Sequence, residues 1–140
     1  MARCDESSQQ GNAASPADPP ADEQLLTVSS EASDRALLLT AVGETDMGTV
    51  ERLRGAICDA LANAGRRPVI LDLRSLSFID SHGLHALVEA SQQADRDDVP
   101  LRLVVDHQRI VLRPLQLSGL DQIFALYDTI DDALADRPLT

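Results

Sequence analysis

Asp80-Ser81-His82-Gly83 sets a carboxylate, a hydroxyl and an imidazole on consecutive residues, followed by a glycine. A serine in that company has two chemistries open to it: it can cap a helix, or it can accept a phosphoryl group. Asp46 and Asp72 are the other carboxylates in conspicuous positions. With Asp80 they would supply magnesium ligands if the fold gathered them into one acidic pocket, as in a phosphoryl-transfer or receiver-like domain. A receiver also places a lysine beside its phosphoryl group, and all twelve basic residues here are arginine. The missing lysine likewise removes P-loop and Schiff-base chemistry. His82, His85 and His107 lie in no cysteine or acidic cluster with metal-ligand spacing. The expectation is no catalytic residue, no metal and no cofactor.

The elements around Asp80 and Ser81 decide what the pair can do. Val69-Ile70-Leu71 and Leu73 make an apolar run suited to a strand buried on both faces, and Phe78-Ile79 follow after a short polar link. Beyond Gly83, Leu84, Leu87 and Val88 recur with the period of a helix that has one buried side. The pair therefore stands where a strand gives way to a helix N-terminus, whose unpaired N–H groups and dipole favour negative charge. As a cap Ser81 would contribute about 1 kcal/mol over alanine. As a modification site it would carry a phosphate where a phosphate is tolerated. Asp80 could itself cap the helix and free Ser81 to point outward. Asp46 has the same ambiguity, as cap of the preceding helix or as a carboxylate bordering the Ser81 surface. Asp72 interrupts an apolar strand and, if buried, must be hydrogen-bonded or paired.

Residues 1–23 hold Ser, Gln, Pro, Ala and acids without apolar periodicity and read as a disordered tail. Leu25, Leu26 and Val28 begin a first strand that ends near Ser30 or Glu31. A turn at Ala32–Arg35 leads to a second strand from Ala36 to Val42, as an antiparallel hairpin. Gly43–Asp46 reads as a loop. Met47–Ala64 follows as a helix with Val50, Leu53, Ile57, Ala60 and Leu61 on one side, closed by Gly65. After the central strand, a helix from Ser81 to about Ala94 and a strand at Leu101–Val105 are expected. A helix between His107 and Leu117 is constrained by Pro114, a short strand occupies Ile123–Tyr127, and a closing helix is capped by Thr129. The class is α/β: one domain with a mostly parallel four- to five-stranded sheet, an antiparallel N-terminal strand and about four helices. Residues 24–136 form the domain, and 137–140 a C-terminal tail.

The chain has 140 residues, a net charge of −11 and three aromatic side chains, Phe78, Phe124 and Tyr127. That charge argues against nucleic acid or an anionic membrane as partner. Cys4 and Cys58 have the spacing of neither a disulfide framework nor a metal site, and Cys58 reads as a small buried or half-buried apolar residue. No stretch has membrane-spanning length or the plan of a signal peptide, so a cytoplasmic location is expected.

The strand-loop-helix VILDLRSLSFIDSHGL closely resembles the signature of the STAS domain, the fold of bacterial anti-sigma factor antagonists. Ala41–Asp46 (AVGETD) resembles that family's loop before its first helix. Arg109–Gly119 resembles the helix before its last strand, and Leu120–Ala133 resembles its closing strand and helix. The resemblance spans roughly residues 24–136. It implies an interaction module in which Ser81 is phosphorylated by a partner that is both anti-sigma factor and serine kinase. The implied partner-binding residues are Gly43, Glu44, Asp46, Asp80, Ser81, His82, Gly83 and Leu84. The family often carries Ser or Thr where this chain has His82, which leaves Ser81 the only hydroxyl in the motif. A STAS-like subunit of another assembly, such as a transporter accessory protein, would share the same fold.

Overall fold

A computed structural model describes residues 26–105 and 110–138. The elements are β1 (Leu26–Ala32), β2 (Leu37–Thr45), α1 (Val50–Asn63), β3 (Val69–Ile79), α2 (Ser81–Asp97), β4 (Leu101–Val104), α3 (Leu112–Ser118), a 3-10 turn (Leu120–Gln122), β5 (Ala125–Tyr127) and α4 (Ile130–Ala135). The sheet order is β1-β2-β3-β4-β5, with β1 antiparallel to β2 and every other neighbouring pair parallel. Parallel neighbours added in one direction through right-handed crossovers place α1, α2 and α3 on the same face of the sheet.

That face holds the main core. Leu39, Leu71, Leu73 and Leu103 from the sheet meet Leu53 and Ile57 of α1, Leu87 of α2 and Leu115 of α3. Each fully buried aliphatic side chain there contributes about 1.5–3 kcal/mol. Ile70, Val104 and Tyr127 point the other way and are covered by Ala133 of α4. Both faces of β3 are thus apolar, which accounts for the unbroken run at Val69–Leu71.

Several boundaries differ from the sequence expectations. Gly43–Thr45 is strand, not loop, and α1 begins at Val50, after a turn. β3 runs without interruption through Arg74–Ser77. It shifts register against β2 between Thr40 and Val42 and between Gly43 and Glu44, so eleven residues of β3 face nine of β2. Pro114 sits in the first turn of α3, where an intrahelical N–H partner is lacking anyway. His107 and Arg109 lie outside the described residues, as does the 1–23 tail. Gly65 takes φ +63° just after α1, as a terminating glycine must. Thr129 caps α4 by accepting from the Asp132 N–H at 3.0 Å. Cys58 lies half-buried on α1. Among the described residues no helix is long and apolar enough to cross a membrane.

Candidate functional site

The carboxyl-terminal ends of β2 and β3 meet where Thr45 pairs with Ile79. One residue on, the Asp80 N–H donates to the Thr45 carbonyl at 3.2 Å. This bond joins the end of β2 to the start of α2, and so brings Gly43–Asp46 beside Asp80–Leu84.

Asp80 is the N-cap of α2, in extended conformation. Its Oδ1 accepts from the Gly83 N–H at 3.1 Å, and its carbonyl accepts from the Leu84 N–H at 3.0 Å. Its Oδ2 lies 3.2 Å from His82 Nδ1. Partial burial alone would raise the Asp80 carboxyl. The Gly83 N–H, the His82 ring and the His82 N–H outweigh it, so the pKa is held below the ordinary 3.8. Because Asp80 occupies the cap, Ser81 becomes the first residue of the helix proper, with an exposed side chain.

Asp46 is also committed to the backbone. Its Oδ1 accepts from Gly48 N–H at 2.8 Å and Thr49 N–H at 3.1 Å, closing the turn that precedes α1. The Thr49 hydroxyl donates to the Glu44 carbonyl at 2.9 Å and tightens the same connection. Asp46 thus acts as the cap of a turn and still stands, partly exposed, beside the Asp80 segment.

Of the residues read from the sequence, Ser81 and His82 are exposed, and Glu44, Asp46 and Asp80 are partly so. Gly83 is buried, and Leu84 packs against the main core, so these two shape the turn from within. A Cβ on Gly83 would fall 2.3 Å from Thr45 Oγ1 and 2.7 Å from Ile79 Cγ1. Only glycine allows α2 to start this close to the sheet. Two apolar side chains at this end of the sheet escaped sequence reading. Met47 is 73% exposed directly after Asp46, and Phe78, paired with Glu44 across the strands, is 47% exposed. The alternation Leu76-Ser77-Phe78-Ile79 does not mark Phe78 as outward, because the bulges break the period of two.

Asp72 does not join Asp46 and Asp80. It pairs with Thr40, five residues of β2 short of Thr45, which is on the order of 16 Å along the strand. Its carboxylate is buried and grips Arg74, with Nε to Oδ1 at 2.9 Å and a second guanidinium nitrogen to Oδ2 at 3.0 Å. The acidic magnesium pocket is therefore not assembled. Among the described residues no group of three His, Cys, Asp or Glu side chains is placed to hold a metal.

The family described as STAS domain matches residues 27–133. The chain belongs to the STAS domain family. This STAS domain is 31% identical over 109 residues to the anti-sigma-F factor antagonist RsfB of Mycobacterium tuberculosis, covering 78% of this chain and 87% of the relative. It superposes on the crystal structure of an anti-sigma factor antagonist from Mycobacterium paratuberculosis with a TM-score of 0.71 and 30% identity, over 86% of this chain and 97% of the other. It shares the fold of the Bacillus cell fate determinant SpoIIAA in its phosphorylated form, at TM-score 0.59 and 21% identity, over 79% and 98% of the two chains. These relatives are named for regulatory binding, not for catalysis.

Proposed function

We propose that this STAS domain is an anti-sigma factor antagonist. It docks on an anti-sigma factor with serine kinase activity through the Glu44–Asp46 and Asp80–His82 surface, and phosphorylation of Ser81 releases it. It is a cytoplasmic switch, acts as the kinase's substrate, and regulates sigma-factor-dependent transcription without touching nucleic acid. The observation that carries the reading is the division of labour at the start of α2. Asp80 takes the cap, and the Ser81 hydroxyl stands exposed at the first position of a seventeen-residue helix.

Adding a phosphate there places about −1.5 to −2 charges at a helix N-terminus, where the dipole favours them and the fold survives. The same charge is added next to Asp80, whose N–H bonds the carbonyl of Thr45, the neighbour of Asp46. An acid-rimmed patch that gains it repels a partner whose contacts were matched to a neutral hydroxyl. The similarity to a named anti-sigma-F factor antagonist supports the choice of partner.

The test is mass spectrometry of the protein from its own cells, together with pull-down of its kinase partner. Phosphate on Ser81, and loss of the partner from the phosphorylated fraction, is the expected result. An unmodified Ser81 under every growth condition, or equal binding by both forms, would overturn the switch.

A further inference from the structure

We infer that Phe78, Val42 and Met47 are the apolar anchors of the docking surface, and that the anti-sigma kinase meets them with an apolar socket bordered by basic side chains. The contact then runs from the start of α2, over the ends of β2 and β3, onto the sheet face opposite α1 and α2. This inference rests on the function proposed above and adds to it which side chains hold the partner.

The alternation of side chains along β2 places the patch. Ala41 and Thr45 are buried on the side of α1 and α2, where Gly83 approaches Thr45. Val42 and Glu44 alternate with them and point to the opposite face. Phe78 pairs with Glu44 and shares that face, diagonal to Val42 and within side-chain reach of it. α4 packs over β3, β4 and β5 on this face, covering Ile70, Val104 and Tyr127. It leaves Val42 48% exposed, beside the half-exposed Phe78. Arg74, farther back on β3, is held by the Asp72 carboxylate. Glu44 has no ion-pair partner among the described residues, so a free carboxylate stands between the two apolar side chains.

Residue type separates this patch from ordinary surface. Of the three aromatic side chains in the chain, Phe124 and Tyr127 are buried, and Phe78 alone is left outside. Six large apolar side chains are exposed among the described residues, and three of them, Val42, Met47 and Phe78, stand at this end of the sheet. Aromatic residues and methionine are enriched at the centres of interfaces, where a few anchors carry most of the affinity. Glu44, Asp46 and Asp80 adjoin them, so the complementary surface is apolar at its centre and basic at its rim. Continuity selects the partner. Glu44 lies between Val42 and Phe78, Asp46 directly precedes Met47, and both acids belong to the docking surface beside Ser81. A kinase seated on that surface therefore reaches all three anchors.

The experiment uses the full-length protein and the anti-sigma kinase that co-purifies with it from its own cells, identified by its phosphorylation of Ser81 with ATP. Surface plasmon resonance reads association and dissociation separately. Phe78→Ala and Met47→Ala should each dissociate about tenfold faster, with the circular dichroism of wild type. Val42→Thr keeps the branched shape of valine and should also dissociate faster. Glu44→Gln should instead associate more slowly and lose part of its salt dependence. Leu117→Ala removes an apolar side chain of α3 as exposed as Met47, away from this surface, and should bind as wild type does. Wild-type kinetics in Phe78→Ala, Met47→Ala and Val42→Thr, while ATP still releases the wild-type protein, would overturn the anchors and leave the switch standing. An equal loss in Leu117→Ala would also overturn them. Should Phe78→Ala fold poorly, Met47→Ala and Val42→Thr decide. If no such kinase is recovered with the wild type, the proposed function and the anchors fall together.

Discussion

Gly83 sits so close to Thr45 that a single added methyl would overlap the Thr45 hydroxyl, at 2.3 Å from Oγ1. Both residues are buried, and the Thr45 hydroxyl has no hydrogen-bond partner among the described residues. The first turn of α2 is therefore seated directly on the end of β2, two residues from the exposed serine. Gly83→Ala gains up to about 1 kcal/mol in helix propensity. It must also push the turn off the sheet, at a cost of about 1–3 kcal/mol from overpacking. The expected net outcome is a lower urea midpoint. Thr45→Val keeps the shape and removes an unpaired buried hydroxyl, so it should be neutral or stabilising. A Gly83→Ala variant as stable as wild type would show that the contact is slack.

The Asp80 cap predicts an acid limb. Asp80→Ala should cost about 1 kcal/mol at neutral pH through the lost cap. The folded-state pKa of Asp80 lies below its ordinary 3.8. Its charged form is the one favoured by folding, so its contribution is present above that ordinary value and lost as pH falls through the lower folded value. The stability gap between wild type and Asp80→Asn should therefore narrow on acidification below about pH 4. Denaturant titrations at several pH values measure it, and a gap that widens toward acid would contradict the cap.

Tyr127 predicts the opposite limb. Burial, then the hydrogen bond and charge of Asp136, push its phenol up to about 12, against a small lowering by Arg102. The phenol donates to Asp136 Oδ1, and Arg102 donates to the Ala133 carbonyl at 2.8 Å, so together they pin the end of α4. Between the ordinary value of 10.0 and about 12 the unfolded chain sheds this proton while the folded chain keeps it. Stability should fall over that window. Tyr127→Phe should flatten the fall and, at neutral pH, lose about 1 kcal/mol.

Much of this arrangement was legible in the sequence, because apolar runs separated by amphipathic stretches admit few α/β topologies. Val69–Leu71 identified the central strand by being apolar on both faces, and Gly65 and Thr129 marked helix ends through the backbone chemistry that each supplies. The misreadings share a cause. Gly43–Thr45 and Arg74–Ser77 looked like loops, since glycine and polar residues interrupt the alternation there. In the fold they are strand, held by ladder bonds and bulges that leave no pattern of period two. Nor could the sequence choose between Asp80 and Ser81 as cap, since both are good N-cap residues and lie side by side. Leu84 read both ways, as core by its helix phase and as partner-binding by its place in the motif, and in the fold it is half-buried and packs against the core.

The N-terminal segment yields a prediction about boundaries. Residues 1–23 lack an apolar pattern, so a chain beginning at Gln24 should keep the melting temperature of the full-length protein in reducing buffer. Loss of several degrees on truncation under those conditions would mean that the domain begins earlier than residue 24.

Ser81 supplies the most discriminating pair of variants. With Asp80 holding the cap through Gly83, Ser81→Ala removes no cap bond, so its cost should stay within about 0.5 kcal/mol, the range of ordinary surface changes. Ser81→Glu adds one negative charge at the first helical position, which the dipole favours by about 0.3–1 kcal/mol, so it too should fold normally. Binding should separate the two. Ser81→Ala is expected to hold its kinase partner and to remain bound when ATP is added, having no hydroxyl to modify. Ser81→Glu is expected to bind at least tenfold more weakly, and less weakly than the phosphorylated protein, which carries nearly twice the charge. Titration calorimetry against the partner, with and without ATP, reads all three states. Wild-type affinity in both variants, with wild type left unmodified by partner and ATP, would reduce Ser81 to a surface residue of α2.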